Sequence, residues 1–318
     1  MQGFEDRFED FTDYILTITR EIWEERGLGA KMRAYYHPDV IVRTPGGVSI
    51  GEPASTSATM ATLTEFPDRV LLGEDVIWSG TPELGMLSSH RIVSTATHRG
   101  GAFGPATGKR VTWRAFADCW AKDNVIADEW LIRDNGALVR QLGHDPRDWV
   151  AARLAAGEAG TPLTPETDVT GPYVGKGNDH EAGARYADLL TSLMGAEFSV
   201  IPAEWDRACH LSYPGGVIAH GHAAADAFWM GLRSSFPSAQ FAVQHVIGRD
   251  DPLMPPRAAL RFSLTGVHAG WGAFGAPTGA EVHVMGIAHA ELGPRGLRRE
   301  WVIFDETAIW TQILSAVG

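Results

Sequence analysis

The segment His98-Arg99-Gly100-Gly101-Ala102-Phe103-Gly104-Pro105-Ala106-Thr107-Gly108 returns as His268-Ala269-Gly270-Trp271-Gly272-Ala273-Phe274-Gly275-Ala276-Pro277-Thr278-Gly279. Glu129-Trp130-Leu131-Ile132-Arg133-Asp134 likewise returns as Glu300-Trp301-Val302-Ile303-Phe304-Asp305, and Gln141 as Gln312. From Ala102 to Gln141 the offset is a constant 171, with 13 of 40 positions identical. Upstream, at an offset of 169 or 170, Pro45-Gly46-Gly47-Val48 matches Pro214-Gly215-Gly216-Val217, and Phe66-Pro67 matches Phe236-Pro237. One register held over this length means duplication. The 318 residues read as two copies of one domain, expected over 1–142 and 179–318. The stretch 143–178 holds Pro146, Pro162, Pro165 and Pro172 with several glycines, a density of breakers that reads as a linker. A short helix is expected at its start, over 149–156.

In the first copy, apolar residues at Phe8, Phe11, Ile15, Ile18 and Ile22 have helical spacing, and Gly27 stops the pattern. A second helix is expected over 54–66, ended by Phe66-Pro67. Extended runs follow at 70–78, 86–98, 111–120 and 125–134, then a short helix over 137–142. Helices first and antiparallel strands after them imply an α+β fold. Strand parity places side chains. It turns His98 and His268 inward, together with Val111, Trp113, Ala115, Ala117 and Cys119. Small inward residues beside helices leave room for a pocket.

Composition narrows the partners. Lys plus Arg is 27 against 39 Asp plus Glu, a net charge of −12. Such a chain lacks the basic footprint that phosphate backbones require, so neither nucleic acid nor a membrane surface is expected as a partner. No apolar run is long enough to span a bilayer. The N-terminus lacks the basic-then-apolar pattern of a secretory signal. With only Cys119 and Cys209, neither a disulfide framework nor a four-thiolate zinc site is available. A cytoplasmic protein is expected.

The pattern His98…Pro105-Ala106-Thr107-Gly108…Trp130…Asp134…Gln141, met again as His268…Pro277-Thr278-Gly279…Trp301…Asp305…Gln312, resembles the SnoaL-like polyketide cyclase family of the nuclear-transport-factor-2-like and ketosteroid-isomerase superfamily. The resemblance covers roughly residues 5–142 and 180–316. It implies a tandem duplication of a cone-shaped, curved antiparallel sheet packed on helices, with a pocket inside each cone. It implies ring closure by an aldol step, with an acidic residue as acid/base and neither metal nor cofactor. It also implies a dimer through the outer sheet face, which two joined copies could form within one chain; a further homo-oligomer stays open. The family's catalytic Asp directly follows the motif Trp, and here that position is Leu131 and Val302. Glu129 and Glu300 precede the Trp, where the family often has His.

The chemistry the residues offer is therefore a His/Glu pair in each copy: His98 with Glu129, and His268 with Glu300. A carboxylate in an apolar pocket has a raised pKa that suits acid/base work on an apolar, carbonyl-bearing ligand, as in a cyclase, isomerase or hydrolase. Trp113 offers a stacking face. Asp134 and Asp305 are either pocket acids or helix N-caps. His220-Gly221-His222 has ligand-like spacing, and His222 is a candidate ligand contact, although no metal is expected there. No phosphate loop, nucleophile elbow or His-Glu-x-x-His motif occurs. The alternative to an enzyme is a binding protein without catalysis, one copy serving mainly as the other's dimer partner. Of the 12 histidines, four precede the middle of the linker and eight follow it, which suggests that the two pockets differ in task.

Overall fold

The computed structural model describes residues 1–317. The chain opens with α1 (Phe11–Thr19), which runs into a π-helical turn at Arg20–Glu24, then α2 (Ala30–Tyr35). The strand pair β1 (Tyr36–Thr44) and β2 (Gly47–Ile50) follows, then α3 (Glu52–Glu65). A meander comes next: β3 (Val70–Thr81), β4 (Gly85–Thr97), β5 (Arg110–Lys122) and β6 (Val125–Arg133). α4 (Asn135–Leu142) and α5 (Pro146–Ala155) close the first half. The second half repeats the order as α6 (Glu181–Met194), α7 (Val200–Glu204), β7 (Trp205–Tyr213), β8 (Val217–His220), α8 (His222–Ser235), β9 (Gln240–Arg249), β10 (Arg257–Val267), β11 (Glu281–Gly293), β12 (Gly296–Phe304) and α9 (Glu306–Val317).

The two sheets have the same topology, β2-β1-β6-β5-β4-β3 and β8-β7-β12-β11-β10-β9. The fold is α+β, as the element order implied. Each sheet is mixed, because β1 pairs parallel with β6 and β7 with β12. Helical periodicity anticipated the first helix over 8–25. It begins later because the Asp10 side chain accepts from Asp13 N and caps it there. Periodicity did not single out the β1–β2 pair. Pro38 and Asp39 interrupt its alternation, and three consecutive residues after Tyr36 are exposed. No helix of the described residues is long and apolar enough to cross a membrane.

Each sheet lays one face on its own helices. Phe11, Tyr14, Ile15, Ile18 and Ile22 pack with Val40, Val42, Ala117 and Cys119 in the first core. Tyr186, Leu190 and Leu193 pack with Trp229, Phe262 and Val302 in the second. The opposite faces of the sheets meet each other, with Phe116, Ile132, Met285, Ile287, Trp301 and Ile303 in one cluster. Leu163, from the segment between the halves, inserts into the same cluster.

The contacts across this junction are reciprocal. Arg261 lies over the Trp130 ring at 3.7 Å and donates to Asp118 at 2.6 Å. Its repeat counterpart Arg91 lies over the Trp301 ring at 3.7 Å and donates to Nδ1 of His289, the counterpart of Asp118, at 3.2 Å. An arginine only donates, so the neutral His289 ring carries its proton on Nε2 and donates it to Ser89 Oγ at 2.7 Å. Residue i meeting j while j meets i is the pattern of an interface between two like surfaces.

Candidate active site

A cavity of about 140 Å³ lies between α1, the π-helical turn, α3 and the concave face of the first sheet. That is about the size of an engineered apolar cavity that admits benzene. Ile15, Ile18, Thr19, Ile22 and Trp23 line it at helical spacing from one side. The π-helical turn adds a residue to the winding just where Ile22 and Trp23 reach the cavity. Trp113, Ala115, Ala117 and Cys119 supply the floor from β5, as parity required of the small inward residues. The exposed or half-exposed lining residues come both from the helices, with Thr19, Trp23, Ser55 and Ala58, and from the sheet, with Thr44, Ser49, Leu131 and Arg133.

Glu129 stands on the inward face of β6 and is buried. The Tyr36 hydroxyl donates to its Oε2 at 3.0 Å. Burial pushes the Glu129 carboxyl above the usual carboxylate range, against the Tyr36 hydrogen bond and the charge of Arg133. His90, also buried and lining the cavity, has no hydrogen-bond partner on Nε2. Burial, with the charge of Arg91 adding, lowers it to about 3, so it is neutral. Arg69 and Arg133 complete the polar lining. Arg69, Arg133 and His90 were not singled out in the sequence. The available signal was the repeat itself, because the same positions in the second copy are Ala239, Phe304 and Leu260.

The second copy fills the equivalent space. Phe262 stands where the first copy has Ile92, and Gly286 where it has Ala115. The Phe262 ring lies on Gly286 so closely that a Cβ there would come within 2.1 Å of it. Tyr213 stacks on Phe228 with ring centroids 3.7 Å apart, in place of Thr44 and Ala58. Glu300 is fully buried and accepts from Tyr186 at 3.0 Å, Tyr213 at 2.7 Å and Trp229 at 3.4 Å. Burial raises its pKa too, opposed by those hydrogen bonds. With three donors already on it, Glu300 acts as a core hydrogen-bond hub.

The structure does not bring His98 to Glu129, nor His268 to Glu300. Glu129 pairs with Cys119, which pairs with Ser88, ten residues along the chain from His98. At about 3.3 Å per residue that separation is on the order of 30 Å along the strand. Parity fixed the face and left the row open. His98 instead donates from Nε2 to Glu65 at 3.1 Å and meets Thr107 Oγ1 at 3.1 Å. Glu65 also accepts from Ala102 N and Phe103 N, so this cluster fastens the β4–β5 loop. His268 holds Thr278 in the same way at 3.1 Å, with Ser235 in the place of Glu65.

Asp134 caps α4 through Ala137 N and reaches across the junction to Gly215 N and Gly216 N, each at 2.9 Å. Asp305 accepts from Thr307 N at 2.9 Å and from Asn135 at 2.6 Å. Both lie outside the cavity; burial raises each to about 6. His222 meets the Trp205 carbonyl at 2.9 Å, away from the cavity. Trp113 does line the cavity, tilted against Phe66 at 5.1 Å. Among the described residues no group of three or more His, Cys, Asp or Glu is placed to hold a metal ion.

The first half is thus an α+β domain whose sheet packs on helices around an open, mostly apolar cavity with a single buried acid, Glu129, in its lining. Residues 14–142 match the model of the SnoaL-like polyketide cyclase family. No curated protein matches the chain. Among solved structures, AclR from Streptomyces galilaeus is similar at 21% identity and a TM-score of 0.36, over 42% of this chain and 94% of that one. IdmH from Streptomyces antibioticus is similar at 23% identity and a TM-score of 0.36, over 42% and 97%. A SnoaL-like polyketide cyclase from Agrobacterium tumefaciens is similar at 17% identity and a TM-score of 0.31, over 42% and 94%.

Proposed function

We propose that this chain is a small-molecule enzyme of the SnoaL-like type whose chemistry takes place in the first domain alone. Glu129 moves a proton at the carbon α to a carbonyl of a largely apolar ligand, the step that cyclisation and isomerisation share. The observation that carries this reading is the contrast between the two buried glutamates. Glu129 borders an open cavity with one donor on it, whereas Glu300 is enclosed by Tyr186, Tyr213 and Trp229. A carboxyl whose pKa is raised by burial is better suited than an ordinary carboxylate to take up and return a proton. The second domain serves as the intrachain counterpart of a dimer partner, supported by the reciprocal Arg91/Trp301 and Arg261/Trp130 contacts.

The test is exchange of the α-protons of 2-tetralone into deuterated water, followed by NMR. Glu129→Gln should slow enzyme-dependent exchange about 10²-fold or more, in the range typical of a lost general base. Glu300→Gln should leave it near the wild-type rate. Equal rates for Glu129→Gln and wild type end the proposal. A second reading, binding without catalysis, is favoured by Leu131, whose apolar side chain lines the cavity where the family resemblance calls for an acid. Tight binding of 2-tetralone with no exchange in the wild type would select it.

A further inference from the structure

Every fully buried arginine in the described chain has an acidic partner: Arg43 with Asp128, Arg91 with Glu74, Arg257 with Asp75, and Arg261 with Asp118. Arg69 and Arg133, both half-buried in the cavity wall, form no ion pair or side-chain hydrogen bond with any described residue. They approach each other closely enough that the charge of Arg133 adds to burial in pulling the Arg69 guanidinium down to about 10. Glu129 and Asp305 act on Arg133 only through space, and with no carboxylate bonded to either guanidinium the two like charges beside one apolar space form an incomplete ion cluster. A guanidinium has five donors in a planar fork that matches a carboxylate, and two such forks would enclose one. His90 Nε2, buried and without a partner in the same cavity, marks a second unfilled polar contact.

We propose that the cavity takes a ligand bearing a carboxylate, held between Arg69 and Arg133. The inference rests on the reading that this cavity is the working site, and it adds the class of ligand. The second copy agrees with it by contrast, since Ala239 and Phe304 at the equivalent positions remove both charges from the copy whose interior is filled. The geometry also orients the ligand. Arg133 and Glu129 stand four residues apart on the same face of β6, about 13 Å along the strand. The carboxylate would sit toward the half-exposed Arg69, and the apolar body would run along β6 toward Glu129 between Ile18, Ile22 and Ile92.

The test compares 2-naphthoate with its neutral isostere 2-naphthamide by calorimetric titration of the full-length protein. The wild type should bind 2-naphthoate at least about tenfold more tightly, since charge-assisted pairs are the strong ones. Arg69→Met and the Arg69→Met/Arg133→Met double variant should lose that preference while still binding 2-naphthamide. Arg69 is half-exposed, so the single variant remains informative if the double variant fails to fold. Equal or weaker binding of 2-naphthoate by the wild type, no binding of either probe, or a preference that survives both variants overturns the proposal. The Ile92→Phe/Ala115→Gly variant separates this failure from that of the site. If filling the cavity leaves both probes bound, the cavity is not the site. If it abolishes the binding of two equally bound probes, the cavity stands and only the anion is wrong.

Discussion

Phe262 on β10 lies directly over Gly286 on β11, in the row where the first copy sets Ile92 opposite Ala115. One paired exchange, large on one strand and absent on the next, closes the space that the first copy keeps open. Transplanting it should close the first cavity as well. Ile92→Phe alone would drive a ring into Ala115, so the variant must be Ile92→Phe/Ala115→Gly. The expected cost is about 1–3 kcal/mol of stability, as for other reshaped cores. Enzyme-dependent exchange should vanish while the thermal unfolding transition remains cooperative. Retained exchange in a folded double variant would place the chemistry elsewhere.

If Glu129 is the proposed base, Tyr36 helps to set the pH at which it acts. As a base, Glu129 acts ionised, so the rate falls as pH drops through its pKa, and burial moves that limb above the ordinary carboxylate range. The Tyr36 hydroxyl donates to the carboxylate and favours its charged form. Tyr36→Phe removes this donor, so the acid limb of the rate profile should move to higher pH. Glu300 predicts the contrary control, since Tyr186→Phe or Tyr213→Phe should change stability by about 1 kcal/mol and leave the profile in place. A Tyr36→Phe profile superimposable on the wild type would show that Glu129 is not the titrating group.

Much of this was legible in the sequence, and the reasons for the rest are physical. The repeat fixed the architecture because each copy buries its own core, and parity found the small floor of Ala115, Ala117 and Cys119 because a strand alternates strictly. Parity failed for His98 and Glu129 because a strand pattern says which face a residue occupies and nothing about its row. The residues that repeat most visibly turned out to be fasteners. His98 and Thr107 hold a loop, and Gln141 clasps both backbone groups of Thr112, as Gln312 clasps those of His283. The excess of histidine in the second copy pointed to unequal copies for the wrong reason. His210, His220, His245 and His289 lie outside that copy's aromatic core, and the inequality resides in Trp229, Phe262 and Phe304.

The Arg261–Asp118 pair should govern how firmly the two halves hold together. Both side chains are buried at the junction, and Asp118 Oδ1 already lacks a partner. Burial raises the Asp118 pKa, and the charge and hydrogen bond of Arg261 oppose the rise. Arg261→Met would leave that carboxylate buried without its counter-charge, a loss of about 3–5 kcal/mol. Adding Asp118→Asn should recover a large part, because the stranded charge disappears. Denaturant unfolding of the two single variants and the double variant gives the coupling directly. Additive losses would mean that the pair contributes nothing beyond packing.

Asp134 and Asp305 make the junction sensitive to mild acidity in an unusual direction. Burial raises each from 3.8 to about 6, and the backbone and side-chain donors on them oppose the rise. Between these values the folded state holds a proton that the unfolded state has lost. Stability contributed here is therefore largest at low pH and falls as pH climbs from about 4 to about 6, by up to ~3 kcal/mol per group at a two-unit shift. The charge of Asp134 helps to raise Asp305, so the two titrate as a coupled system. Asp305→Asn removes one of the two titrations. Its oxygen can still accept from Thr307, and the amide of Asn135 can turn to present its own oxygen to the new donor. The variant should then gain stability relative to wild type as pH rises from 4 to 7. Parallel stability curves for the two proteins over that range, measured by chemical denaturation, would show that Asp305 titrates near its ordinary value.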